Sequence, residues 1–214
     1  MGQNCGVSES VLLLHGYDSK PSALGDLAER LGLRGELVAG LEDLPGESLA
    51  WWIGDLQRQS RGDLTEYLDE VSLDAQRRHG TSIGSDHLDN SQGSVSIVGF
   101  SQGGAAALSW ALDPNRRTGI TNVFAVAGFL SDLVEEQIRE FALSDRGPLS
   151  RPAIHMIHLA DDEIVDAMVS ERASRQLVKA GFSVTDHYVD GAHVWSQALS
   201  ELIAQLLSQP ASLE

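Results

Sequence analysis

The sequence predicts an α/β protein with a mostly parallel sheet of about six strands and helices on both faces. Two observations carry this. Short, continuous apolar runs alternate with stretches of helical periodicity along the chain, the pattern of strands covered on both faces and joined by crossover helices. No internal repeat, low-complexity tract or long linker interrupts the alternation, so residues 1–214 read as one domain.

The first apolar run, Val11–Leu14, is a strand that ends at His15-Gly16. Leu24, Leu27, Ala28 and Leu31 follow at helical spacing, with Pro21 near the helix start. Leu37–Ala39 is a short second strand, and the turn at Pro45-Gly46 leads into an expected helical stretch containing Trp51, Trp52 and Leu56. Leu64, Tyr67, Leu68, Val71 and Ala75 form one helical stripe. The polar segment Gly80–Gly93 reads as a surface loop.

The alternation then resumes. Val95–Phe100 is a strand, and Gly103–Leu112 is a small-residue helix stopped by Asp113-Pro114. Asn122–Ala127 is a strand, followed by a helix with Val134, Ile138, Phe141 and Ala142 on one face. Ala153–Leu159 is a strand, and Val165, Met168, Val169, Ala173 and Leu177 mark a helix that ends near Gly181. Val184–Val189 is the last strand, and Leu199, Leu202, Ile203 and Leu206 define the last helix.

Composition removes several classes of function. Fifteen Lys and Arg face 31 Asp and Glu, a net charge of −16 that repels phosphate backbones, so no nucleic-acid partner is expected. The 42% hydrophobic content is too high for a disordered chain. No apolar run approaches the roughly 18–20 residues that span a bilayer, so no stable membrane insertion is expected. The opening MGQNCGVSES lacks the basic and apolar regions of a secretory signal, and Gly6 departs from a myristoylation start. The single cysteine, Cys5, permits no intramolecular disulfide and no Cys/His zinc set. The expectation is a cytoplasmic globular protein with an acidic surface, binding no metal.

Ligands of parallel sheets bind beyond the C-terminal ends of the strands, so the strand-to-helix loops hold the candidate chemistry. Gly99-Phe100-Ser101-Gln102-Gly103 matches G-x-S-x-G directly after a strand and opens a helix. Glycines two residues either side of the serine relieve crowding in a sharp, strained turn that exposes Ser101 Oγ above the sheet. The adjacent helix N-terminus favours developing negative charge. In hydrolases with this turn, an oxyanion is held by the backbone N–H after the nucleophile and by one from an early loop. These are Gln102 and, in His15-Gly16-Tyr17, Tyr17.

A serine nucleophile needs a base, and the base needs an orienting acid, in the chain order Ser, Asp or Glu, His. Of seven histidines, only His193 lies in the loop between the last strand and the last helix. His155 and His158 fall in the strand before the acid, and His187 falls inside the last strand. The acid comes from Ala160-Asp161-Asp162-Glu163. Asp162 is preferred, Asp161 is its competitor, and Asp166 belongs to the following helix. Trp51, Trp52, Phe129, Leu130 and Trp195 fall near the C-terminal edge of the sheet, where they could line an apolar acyl pocket. Ordinary core packing is an equal reading for the tryptophan pair.

Gly-Phe-Ser-Gln-Gly-Gly, the upstream Leu-His-Gly, His-x-x-x-Asp-x-x-Val and the late Gly-x-His resemble the phospholipase/carboxylesterase group of α/β hydrolases. That group includes acyl-protein thioesterases and small bacterial carboxylesterases. The resemblance runs from about Val11 to Leu207, and Ala127-Gly128-Phe129-Leu130 is similar to the group's Ser-Gly-Tyr-Leu. It implies Ser101 as nucleophile, Asp162 as acid and His193 as base, with Tyr17 and Gln102 as oxyanion donors. Leu159, Glu163 and Asp166 depart from the group's Gly and Pro positions around the acid. The chain also starts almost at its first motif strand, consistent with a compact sheet.

The activity expected is hydrolysis of a carboxylic ester or thioester through an acyl-enzyme, with no cofactor and a small-molecule or acylated substrate. A lactone or C–C bond on the same triad is the alternative. A non-catalytic binding protein would be betrayed by loss of Ser101, His193 or the acid, and none is lost. Between Gly128 and Pro152 the chain has room only for a small lid. The acidity reads as a surface property, and a neutral ester suits it better than a polyanionic thioester.

Overall fold

The computed structural model describes residues 9–79, 94–134, 138 and 151–209. The expected Gly80–Gly93 loop, Cys5, Gly6, Phe141, Ala142 and most of the lid segment lie outside them. Six strands form one sheet in the order β2-β1-β5-β6-β7-β8. They are β1 (Ser10–Leu14), β2 (Gly35–Val38), β5 (Ser94–Phe100), β6 (Gly119–Val126), β7 (Ala153–Leu159) and β8 (Val184–Val189). All five pairings are parallel. The strands are apolar on both faces because both faces are covered. Leu12, Leu13 and Leu14 are fully buried, as a central parallel strand requires.

One face packs against α2 (Arg58–Arg78), α3 (Gln102–Ala111) and α4 (Ala167–Lys179). Leu64, Leu68 and Ala75 of the predicted α2 stripe enter this core, with Tyr67 and Val71 against its edge. Val134 and Ile138 are buried in it as well. The other face packs against α1 (Gly25–Leu31) and α5 (Gln197–Leu207) through Leu27, Leu31, Leu199 and Ile203. Pro21 opens a short 3-10 turn ahead of α1, and Ser196 caps α5 by accepting the Leu199 N–H.

One predicted element is wrong. The stretch around Trp51 and Trp52 is not helical. Glu42–Leu44 (β3) and Ser48–Ala50 (β4) form an antiparallel hairpin, and irregular chain follows up to α2. Gly46 and Glu47 both adopt positive φ in the hairpin turn, and Gly54 at φ 70° bars a helix beyond it. Trp51 and Trp52 are both buried, but their main-chain groups bond to a side chain from another element, described below. β6 also begins three residues before the predicted start at Asn122, because Gly119 pairs with Ser94 at the bottom of the sheet.

The sheet's topology places the site. The chain enters at β1, moves to β2 on one side, then crosses to β5 on the other. β1 and β5 are therefore adjacent while their following loops run to opposite sides, which opens a crevice at their C-terminal ends. Leu14 pairs with Gly99, so the loops holding Tyr17 and Ser101 emerge side by side.

Candidate active site

Ser101 sits at that crevice with φ 54° and ψ −119°, a left-handed conformation that a non-glycine residue holds only when its surroundings enforce it. Its N–H donates to the Val126 carbonyl at 2.8 Å, and its own carbonyl accepts from Ala105 N–H at 3.1 Å. Two glycines make the turn possible. A Cβ on Gly99 would strike the Gly103 carbonyl, and one on Gly103 would strike the carbonyls of Leu14 and His15.

A continuous hydrogen-bonded chain runs from this serine. Ser101 Oγ lies 2.9 Å from His193 Nε2, and His193 Nδ1 lies 2.7 Å from Asp162 Oδ2. The carboxylate accepts, so the Nδ1–H donates to it and Nε2 is left to accept the serine proton. Asp162 Oδ1 accepts from the N–H groups of Ile164 and Val165 at 2.9 and 2.8 Å. The Asp162 side chain is 1% exposed and that of His193 15%, so the acid is shielded and the imidazole can reach a ligand. The Phe100 ring lies 4.9 Å from the imidazole and meets Trp195 edge-on behind it.

The competitor acids point elsewhere. Asp161 is exposed, and its main chain donates to the Gly191 carbonyl at 3.0 Å. Asp166 is the N-cap of α4, one residue ahead of the helix, and accepts from Met168 N–H. The remaining strand histidines are engaged away from Ser101. His155 Nδ1 lies 3.1 Å from His187 Nε2, and His158 Nε2–H donates to Asp186 Oδ1 at 2.7 Å. Burial pushes His155 down to about 4, helped by the neighbouring His187, and burial lowers His187 as well, so the His155 and His187 rings are neutral near pH 7.

His15, at the head of the first motif, proves to be a brace. Its Nδ1–H donates to the Gly16 carbonyl at 2.7 Å and its Nε2 accepts the Gly40 N–H at 3.0 Å. Burial lowers its pKa, opposed by the Gly16 bond, so the neutral ring ties the loop after β1 to the chain beyond β2.

Beside Ser101 lies a cleft of about 820 Å³, lined also by Tyr17, Gln102, Trp52, Phe129 and Leu130. The five predicted pocket residues fare differently. Trp52, Phe129 and Leu130 line the cleft, whereas Trp195 turns toward α5, where its Nε1–H donates to Ser200 Oγ at 3.0 Å. Trp51 is also out of the cleft, buried with its Nε1–H donating to the His15 carbonyl at 2.8 Å. Phe129 and Leu130 reach the rim because Ala127 turns at φ 47° and Ser170 Oγ holds the Gly128 carbonyl at 2.7 Å.

Sequence reasoning missed Leu56, Leu133, Ile164 and Val165 as further apolar lining, and Asp55 and Asp132 as acidic lining. Ile164 and Val165 had a signal, since they follow the acid directly. The acidity of the chain thus reaches the cleft, where among the described residues neither carboxylate has an ion-pair or hydrogen-bond partner and no Lys or Arg lines the wall. Among the described residues no group of three His, Cys, Asp or Glu side chains is placed to hold a metal ion. Nor is any described helix long and apolar enough to cross a membrane.

A parallel α/β sheet with a strained serine, a histidine and a carboxylate at its C-terminal edge defines a hydrolase-type architecture. A sequence profile of the phospholipase/carboxylesterase family matches residues 81–208, more than half of the chain. The chain belongs to that family and is a hydrolase. Its fold is similar to that of esterase PE8 (24% identity, 94% of this chain and 93% of that one, TM-score 0.64). It is also similar to a carboxylesterase from Mesorhizobium loti (18%, 94% and 89%, TM-score 0.69) and to Zea mays acyl-protein thioesterase 2 (16%, 97% and 96%, TM-score 0.67). No curated protein sequence matches the chain.

Proposed function

We propose that this protein hydrolyses carboxylic esters through an acyl-enzyme on Ser101. The observation that carries the reading is the hydrogen-bonded run Ser101–His193–Asp162 at the wall of an open cleft with apolar and acidic lining. His193 Nε2 takes the Ser101 proton as Oγ attacks the acyl carbonyl, and Asp162 stabilises the imidazolium through Nδ1–H. The backbone N–H groups of Tyr17 and Gln102 receive the oxyanion. His193 then returns the proton to the departing alcohol or thiol. A water, deprotonated by the same imidazole, attacks the acyl carbon and releases the acid and free Ser101.

Trp52, Phe129 and Leu130 serve the acyl group. Asp55 and Asp132 disfavour anionic substrates, which points to neutral or cationic esters over polyanionic thioesters. A fluorophosphonate probe tests the nucleophile. Labelling of the wild-type chain with none of Ser101→Ala is expected, and equal labelling of both would overturn the assignment. Turnover of p-nitrophenyl esters beside acyl-CoA and acylated peptides separates ester from thioester chemistry.

A further inference from the structure

Beyond its main-chain N–H, Gln102 has a side chain that takes no part in the acyl-transfer steps. The residue is only 6% exposed, and its carboxamide is committed at both ends. Oε1 accepts the Trp51 N–H at 2.9 Å, and Nε2–H donates to the Trp52 carbonyl at 2.9 Å. The orientation is fixed by chemistry, because a main-chain N–H can only donate and a carbonyl can only accept. Residues 51–57 have no helix or strand of their own. One amide therefore satisfies consecutive main-chain groups that a neighbouring strand would otherwise pair.

The same segment is pinned a second time. The Trp51 indole donates to the His15 carbonyl and its ring lies 5.3 Å from the His15 ring, while His15 itself braces Gly16 and Gly40. The loop before Tyr17, the chain after β2 and the Trp51 indole thus meet on His15, while Gln102, the neighbour of Ser101, holds the main chain of Trp51 and Trp52. Trp52 is the product of that arrangement, a cleft wall with no secondary structure to hold it.

Taking the ester-hydrolase reading as its basis, we infer that the Gln102 side chain is the positioning residue that sets the Trp52 wall and with it the preference for esters long enough to fill the cleft. Gln102→Leu removes both bonds. Gln102→Glu keeps the acceptor for Trp51 N–H but replaces the donor to the Trp52 carbonyl with a carboxylate oxygen. Both variants retain the main-chain N–H at position 102.

The test is a chain-length series of p-nitrophenyl esters, acetate to octanoate, on wild type, Gln102→Leu, Gln102→Glu, Trp52→Ala and the double variant Gln102→Leu/Trp52→Ala. Both Gln102 variants should raise KM for octanoate about five- to tenfold, with a smaller change for acetate, so that selectivity flattens. In the Trp52→Ala background the Gln102→Leu change should add almost nothing, because the wall it positions is gone. A merely structural role would lower the melting temperature and leave the octanoate-to-acetate ratio as in wild type. That ratio unchanged in either folded Gln102 variant, or full additivity in the double variant, overturns the inference. A wild-type chain that neither labels with fluorophosphonate nor turns over any ester overturns the hydrolase reading with it. Labelled, active wild type with unaltered selectivity in the variants overturns this inference alone.

Discussion

Asp162 holds His193 with one carboxylate oxygen, at 2.7 Å, while its other oxygen is held by the N–H groups of Ile164 and Val165. The acid cannot turn without losing three hydrogen bonds. This sets the imidazole tautomer as well as its place.

Replacing that acid should therefore cost far more than replacing its neighbour. Asp162→Asn can present an amide N–H toward Nδ1, which forces the proton onto Nε2 and removes the acceptor for Ser101. A loss of about 10³- to 10⁴-fold in kcat is expected. Asp161→Asn, exposed and without a bond to His193, should stay within about twofold. Steady-state assays on p-nitrophenyl butyrate compare the two.

The turn beneath the serine gives a stability prediction. A methyl at Gly103 would meet two main-chain carbonyls, of Leu14 and His15, neither of which can swing aside as a flexible side chain would. Gly103→Ala should destabilise the fold by about 3 kcal/mol or more, read from urea denaturation. Gly62→Ala, at a position with open space on α2, should be neutral or stabilising by up to about 1 kcal/mol.

Charge selection at the cleft can be read from matched esters that differ only in a terminal carboxylate. Asp55→Asn/Asp132→Asn should raise kcat/KM for the anionic ester about five- to tenfold at low salt and much less for the neutral one. Raising the ionic strength should narrow the difference between wild type and variant. No change for the anionic ester would remove the two carboxylates from the specificity argument.

Acid stability should depend on the pair between β7 and β8. His155 is pushed down to about 4 from its ordinary 6.5 by burial and by His187. Between those values the unfolded chain binds a proton that the folded chain refuses, so stability falls as the pH drops from 6.5 toward 4. The contribution is fully present above 6.5. His155→Gln should flatten that slope in denaturant titrations across the window, with little effect on the wild-type value near pH 7.

Much of this was legible from local pattern. β7 and β8 fall on the predicted spans, and the Ser101 turn, the His193 loop and the Asp162 segment are brought together as the motif order implied. The β3–β4 hairpin was not, because a three-residue strand such as Glu42–Leu44 carries too little alternation to stand out against a helical reading. Trp51 and Trp195 show a second limit. An aromatic side chain beside a motif can face the cleft or the core, and that depends on partners such as the His15 carbonyl and Ser200, which lie in other elements. The charge at the cleft was missed for the same reason. Asp55 and Asp132 are far apart in sequence and share a wall only through the fold.

The pairing of β1 with β5 has a consequence for assembly of the protein. The loop bearing Tyr17 and the turn bearing Ser101 belong to strands bonded along their length, Ser10 with Val95 through Leu14 with Gly99, yet α1, β2, the β3–β4 hairpin and the long helix α2 separate them in the chain. A nascent or truncated chain has no way to bring the two together until that long loop closes, and non-local closure of this kind is slow. Reactivity toward a serine-directed probe during refolding is then a clock for docking of β1 against β5, with helix formation, seen by circular dichroism, running ahead of it.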